Sequence, residues 1–459
     1  MKKALLSSMV VGMCVFTPYS FAMTTLNDEE LSDVEGQALL SMEVQRGYNQ
    51  ADDLGTNYDQ SNISFYKLGL EAEMEINTNI KKLQLGCGGI NGATGCDIDI
   101  DHIALSGLPT NSNYTSNDRA GSSALITNPF LQFAIKNPNQ ASTREVLGFR
   151  LSAEKIQGLL TLGTENSNTP NGINSFSGYM KTKAASGVAN TASRIMDYAA
   201  TGQMIEGTVR GKLGSLTLPL DLHYKSDDYS FTLQESTAPF TIPATIVSGT
   251  RMKEVVLKGT GTVDRIDFNG PLEAQLLGGL LNLDKEITGY LTGLKTDITV
   301  NQNLGLIHAL YLNNPASLSL QSQKILWPGA AVGANQGWWM SMEDEVDLGS
   351  ISPTDKVQIT DAVLKQTIAG INHDLTNNIR ICGGIISGCI AGGSLDVSEI
   401  KNPTLIDFPL NNLKLAGQNF QPNCFGGHIV KLLYYPYRIR KKLEIIHRLS
   451  RSTILYAYV

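Results

Sequence analysis

The sequence predicts a mainly β protein: extended antiparallel sheets or a β-sandwich in two halves, preceded by a short N-terminal helix. Three observations point there. Many segments alternate apolar and polar residues with period two, as in Asp97-Ile-Asp-Ile-Asp-His-Ile-Ala-Leu105. Only 17% of the 459 residues are charged, and Asn, Thr and Ser are abundant, which suits strands with an uncharged wet face. Asn-Pro and Gly punctuation recurs between the alternating runs.

Residues 1–22 read as a secretory signal, with Lys2 and Lys3, an apolar run and Ser20-Phe21-Ala22 as a small-x-small cleavage site. Residues 23–42 hold the expected helix: Asn27 or Asp28 caps it, acids fill the first turn, and Leu31, Val34 and Ala38 share one side. A first β-rich domain is expected over 43–240, with strands at 68–76, 97–105, 130–135, 146–151, 159–162, 206–213, 215–223 and 229–233. Within it, 163–193 reads as a long loop and 192–200 as a short helix.

Pro239 and Pro243 mark a boundary. A second β-rich domain is expected over 241–427, with strands at 255–268, 287–300, 304–312, 317–325 and 395–415 and a helix at 360–378. Residues 428–459 form an atypical basic tail. It carries seven Lys or Arg against Glu444, so a +6 tail within a chain total of −7 leaves the body at −13. A body this acidic repels phosphates and argues against a nucleic-acid partner. No later apolar run approaches the ~20 residues of a membrane span, so no transmembrane helix is expected after residue 22.

Four cysteines fall in two pairs, Cys87-Gly-Gly-Ile-Asn-Gly-Ala-Thr-Gly-Cys96 and Cys382-Gly-Gly-Ile-Ile-Ser-Gly-Cys389. Glycine-rich segments between strands can fold back and bring sulfurs within bonding reach, so two local disulfides are expected, Cys87 with Cys96 and Cys382 with Cys389. Zinc is the alternative, but the spacings exceed those of zinc pairs and no histidines lie nearby. Of the six cysteines, Cys14 lies in the signal and Cys424 is left over.

Little in the chain names a reaction. Asp97, Asp99 and Asp101 fall on one strand face and could share Ca²⁺, against a solvated strand face as the bland reading. Trp338 and Trp339 precede Glu343-Asp344-Glu345-Val346-Asp347, where aromatics could stack a sugar and carboxylates hydrolyse it, against a Trp-capped strand followed by a solvated acidic turn. No nucleophile elbow, His-Glu-x-x-His, P-loop or dinucleotide fingerprint is present. No catalytic residues, no resident metal and no cofactor are expected.

Residues 26–37 resemble the leaders of double-glycine peptides exported by peptidase-containing transporters. Leu26, Glu30, Leu31, Val34 and Gly36 fall in register, and Gln37 stands where the second glycine would be. Glu30-Leu-Ser-Asp-Val-Glu-Gly-Gln37 before an Asn- and Gly-rich β body also resembles the Fil-type pilus-system proteins of Acinetobacter-like Gram-negative bacteria. That resemblance implies an exported, non-catalytic structural or adhesive protein of the periplasm, outer-membrane surface or extracellular space. Its implied partners are envelope or pilus-assembly proteins, with self-association left open. The alternatives are a cargo recognised by a dedicated exporter through 26–37, or a carbohydrate-binding or carbohydrate-active protein.

Overall fold

Period-two alternation becomes strand wherever one side meets the interior. In Ile266–Leu276 every second residue is buried, Ile266, Phe268, Leu272 and Leu276 among them, while Asp267, Asn269, Glu273 and Gln275 face water. The computed structural model describes residues 40–110, 115–164, 169–212, 219–348, 350–381, 393–412 and 429–433. Strand dominates them, in one large sheet and several smaller ones.

Three smaller sheets are laid down by a chain that winds outward and back. It runs through Ala185–Thr191, Arg194–Asp197 and Ile205–Gly211, one strand in each sheet, then returns through Leu220–Ser226, Ser230–Leu233 and Thr237–Ile242. One corner is fixed by Asp197, whose carboxylate accepts from Ala200 N at 2.8 Å, and by Gly202 at φ 67°. A second hairpin of passes follows: Glu254–Thr262 and Ile266–Leu276 outward, Leu281–Thr292 and Lys295–Asn303 back. The last pass, Arg380–Ile381, Ser394–Lys401 and Leu405–Asn411, adds one parallel strand to each sheet. The helix Asp361–Asn377 packs on Ile205–Gly211 and Ser394–Lys401. Its Val363, Leu364, Thr367, Ile368, Ile371 and Leu375 are buried at helical spacing, and Gly207 and Gly370 leave room for Leu375 and Ile400.

The twelve-stranded sheet folds back on itself. Ile98–Ser106 pairs with Glu73–Leu85, with the end of Glu145–Thr161 and with Ile173–Thr182. Ala316–Gln321 and Gly337–Val346 close the circuit between Glu145–Thr161 and Ile173–Thr182. Residues 322–336, between those two strands, cover one face. Trp327 packs on Phe65 with centroids 5.6 Å apart, and the Gln60 side chain bonds both Leu326 O at 2.9 Å and Leu326 N at 2.8 Å. Arg150 is sandwiched there over the rings of Phe130 and Trp327 and donates to Gln132 Oε1 at 2.6 Å. Burial pushes its guanidinium down to about 10.

Several expectations need correction. Pairings are mixed, not purely antiparallel, because the last pass and Gly337–Val346 run parallel to their neighbours. The boundary expected at 240/241 falls inside Thr237–Ile242, and strands from both expected halves interleave in the same sheets. Pro239 is tolerated there because the ladder to Glu254–Thr262 runs only at Phe240 and Thr241. The loop expected at 163–193 contains the strands Ile173–Thr182 and Ala185–Thr191, in which Ser175, Ser177, Gly178, Ala185, Gly187 and Ala189 are buried. Of the helix expected at 192–200 only the last part is present: the strand Arg194–Asp197 is followed by the one-turn α-helix Tyr198–Thr201. The runs 255–268 and 287–300 each turn a corner between sheets. The helix expected at 360–378 is present. The N-terminal helix lies outside the described residues, except that 40–42 open the strand Leu40–Arg46. Among the described residues no helix is long and apolar enough to cross a membrane.

Candidate functional site

The first cysteine hairpin forms as expected. Cys87 and Cys96 are bonded, S–S 1.96 Å, across a sequence separation of 9. Gly86, Gly88, Gly92 and Gly95 all take positive φ, between 65° and 109°, a backbone that side chains resist, which explains the glycine-rich loop. The second pair, Cys382 and Cys389, lies outside the described residues, as do Cys424 and the recognition segment Leu26, Glu30, Leu31, Val34, Gly36 and Gln37.

Asp97 anchors this loop. Only 1% exposed, it accepts from Arg251 Nε at 2.9 Å and Asn91 Nδ2 at 3.0 Å through one oxygen, and from Trp338 N at 3.0 Å through the other. Arg251 also donates to the carbonyls of Thr94 at 2.6 Å, Gly86 at 3.2 Å and Gly92 at 3.3 Å. Of these four donations from one guanidinium, one holds Asp97 and three satisfy loop carbonyls. Between the loop and the sheet lies a cleft of about 450 Å³, lined by Ile90, Val146, Phe149, Leu320 and Trp338. Phe149 and Trp338 meet edge to face, centroids 5.9 Å apart.

The three aspartates do not converge on one centre. Asp97 is committed to Arg251, whereas Asp99 and Asp101 are bridged by Lys82 Nζ at 2.6 and 2.9 Å and joined by Asn174 at 3.2 and 2.6 Å. Burial pushes the Asp99 carboxyl up, but hydrogen bonds from Lys82, Gln84 and Asn174 and the charge of Lys82 outweigh it and hold it below its ordinary value. A lysine occupies the place a cation would take, and the described residues hold no cluster of three or more metal-ligating side chains.

The tryptophans and the acidic cluster also separate. They share the strand Gly337–Val346, but Trp338 lines the cleft at one end while Trp339, 1% exposed, points into the opposite face. Five to nine residues along, at ~3.3 Å each, the acids lie roughly 15–30 Å away. There they line a different cleft of about 770 Å³. Glu343 pairs with Lys181 at 2.7 Å and accepts from Tyr179, whose phenol is pushed up by burial and by that bond. Asp344 accepts from Asn313 N and Asn314 N at 2.9 Å. These carboxylates hold a loop and neutralise lysines; they do not flank Trp338. The cleft at Trp338 can bind an apolar or aromatic-stacking group, and its polar atoms are engaged in holding its own walls.

No family model, curated protein or solved structure matches the chain. Sequence reasoning missed Arg251, Arg150 and Arg119, the arginines that organise the buried polar centres. Arg119 is fully buried and donates to Ser106 Oγ at 2.9 Å and Thr161 Oγ1 at 2.8 Å. Arg150 alone stands among uncharged neighbours, in Gly148-Phe-Arg-Leu-Ser152; Arg119 and Arg251 lie beside other charges and carry no such signal.

Proposed function

We propose that the chain is an exported structural or adhesive component of a Gram-negative cell envelope or pilus system, working by binding and not by catalysis. The observation that carries this reading is the Cys87–Cys96 bridge, since such bonds persist in oxidising compartments. It agrees with the signal-like residues 1–22 and with the Glu30-Leu-Ser-Asp-Val-Glu-Gly-Gln37 segment. Expression from the native start in a Gram-negative host, fractionation and mass spectrometry of the mature N-terminus test it. A chain outside the cytoplasm beginning at Met23 is the expected outcome. One beginning at Ala38 assigns the protein to a dedicated exporter instead, and an unprocessed cytoplasmic chain overturns both.

A second reading, carbohydrate binding without hydrolysis, is favoured by Trp338 at the 450 Å³ cleft. Glycan-array signal that disappears in Trp338→Ala supports it; a blank array removes it.

A further inference from the structure

Among the described residues, the twelve-stranded sheet leaves one face apolar and uncovered at its Leu40–Arg46 end. Register sets Met42 opposite Leu68, Leu68 opposite Leu131 and Leu131 opposite Leu151. The adjacent row is Val44, Tyr66, Phe133 and Phe149. Alternate residues of a strand share a face, so both rows point to the same side. The reverse side carries Phe65 and Ala134 and is sealed by 322–336 with Trp327. On the uncovered side Met42 is 83% exposed, Val44 56%, Leu151 54% and Leu68 41%. Neither row contains a charged residue. Exposed apolar side chains are ordinary when scattered singly; two contiguous cross-strand rows are not.

We infer that this face is where a second copy of the chain docks, sheet against sheet. Area decides the occupant. With Leu40, Phe133 and Val146 included, the exposed fractions amount to roughly 750 Å² if a fully exposed large side chain presents roughly 200 Å². That exceeds the largest patch of an ordinary monomer, about 300–600 Å², and matches the roughly 800 Å² each partner contributes to a standard interface. A two-fold pairing offers each copy the same two uncharged central rows, which suits an isologous contact, while Arg46, in the row of Val146, lies at the border of the face. Two such faces would pack about 10 Å apart, as in a sandwich. Among the described residues Leu40–Arg46 has a strand neighbour on one side only, so the border of the face is open to an approaching copy.

Sedimentation velocity of the full, oxidised chain between about 1 and 100 µM tests this. A concentration-dependent monomer–dimer equilibrium is expected. Leu151→Lys and Met42→Glu, both at exposed positions, each weaken dimerisation at least tenfold with an unchanged far-ultraviolet spectrum. Val256→Glu and Leu280→Glu, exposed outside this face, leave it intact. A chain that stays monomeric throughout overturns the inference, whether or not the face takes up detergent or lipid. So does a dimer indifferent to Leu151→Lys and Met42→Glu, or one equally lost in the two control variants.

Discussion

The Arg251 guanidinium and the Asp97 carboxylate meet at 2.9 Å across a sequence separation of 154, and the same guanidinium reaches both flanks of the Cys87–Cys96 bridge. The pair therefore ties the disulfide loop to the strand Thr245–Met252. Removing the cation leaves a buried carboxylate with two donors and takes one donor from each of three loop carbonyls, of which Gly86 keeps the Gly89 N–H. Arg251→Ala is expected to lower unfolding free energy by about 3 kcal/mol. Arg251→Lys should lose less, since it keeps the charge but not the planar fork. Urea midpoints check this, and a change below about 0.5 kcal/mol, the scatter of surface substitutions, would sink the latch.

The disulfide contributes separately. Closing a loop of about ten residues removes roughly 2.5 kcal/mol of chain entropy from the unfolded state. Cys87→Ser with Cys96→Ser should lower stability by about that amount while the loop stays seated through Arg251. Limited proteolysis reads the distinction: cleavage within 87–96 should rise modestly in the serine variant and steeply when Arg251→Ala is added.

Lys82, Asp99 and Asp101 predict a pH dependence. The Asp99 carboxyl titrates below its unfolded value of 3.8 in the fold. Its stabilisation is thus present above pH 3.8 and is lost as pH falls through the lower folded-state value. Lys82 is 41% exposed, and solvent screening limits the contribution to below about 1 kcal/mol. The stability gap between wild type and Lys82→Met should be constant from pH 7 to 5 and close below pH 4. A gap that widens on acidification contradicts this account.

Trp327 and Trp338 should behave oppositely. Trp327 is buried between Phe65 and Arg150, with its Nε1 donating to Gln321 at 3.3 Å. Trp327→Ala should cost about 3–5 kcal/mol. Trp338 is half-buried on a cleft wall, and Trp338→Ala should cost about 1–2 kcal/mol, as its smaller buried area requires. Thermal unfolding of the two variants gives the comparison.

Gly178 provides a last test. A Cβ at this position would collide with the Met340 carbonyl oxygen and crowd the Phe176 ring at 2.8 Å. Gly178→Ala must push Ile173–Thr182 away from Gly337–Val346, and a loss of about 2–3 kcal/mol is expected.

Strand alternation made the fold class legible. Asp97 to Leu105 and, beyond residue 254, the stretches 255–268 and 287–300 could be read because their wet faces are polar and their dry faces are branched or aromatic. Ile173–Thr182 was illegible for the opposite reason: Ser175, Ser177 and Gly178 occupy inward positions that close strand approach keeps small. The sheet corners at Val263 to Arg265 and Gly293-Leu294 carry no strong break in pattern, so one apolar run became two strands in two sheets. At the candidate site, glycine spacing announced the Cys87–Cys96 loop. Its dependence on Arg251 could not be seen, because the partner lies in a distant segment and a single arginine has no period.

The winding of the chain also sets an order of events. Ala185–Thr191 gains its neighbours on the side away from Thr237–Ile242 from Ser350–Ile351 and Lys356–Val357, and Lys295–Asn303 gains its outer neighbour from Leu405–Asn411. A chain delivered N-terminus first therefore holds unfinished sheet edges until nearly all of it has emerged. Contacts this distant in sequence close slowly. Until residue 411 arrives, those edges stay open to wrong pairing, and they are where misassembly would begin.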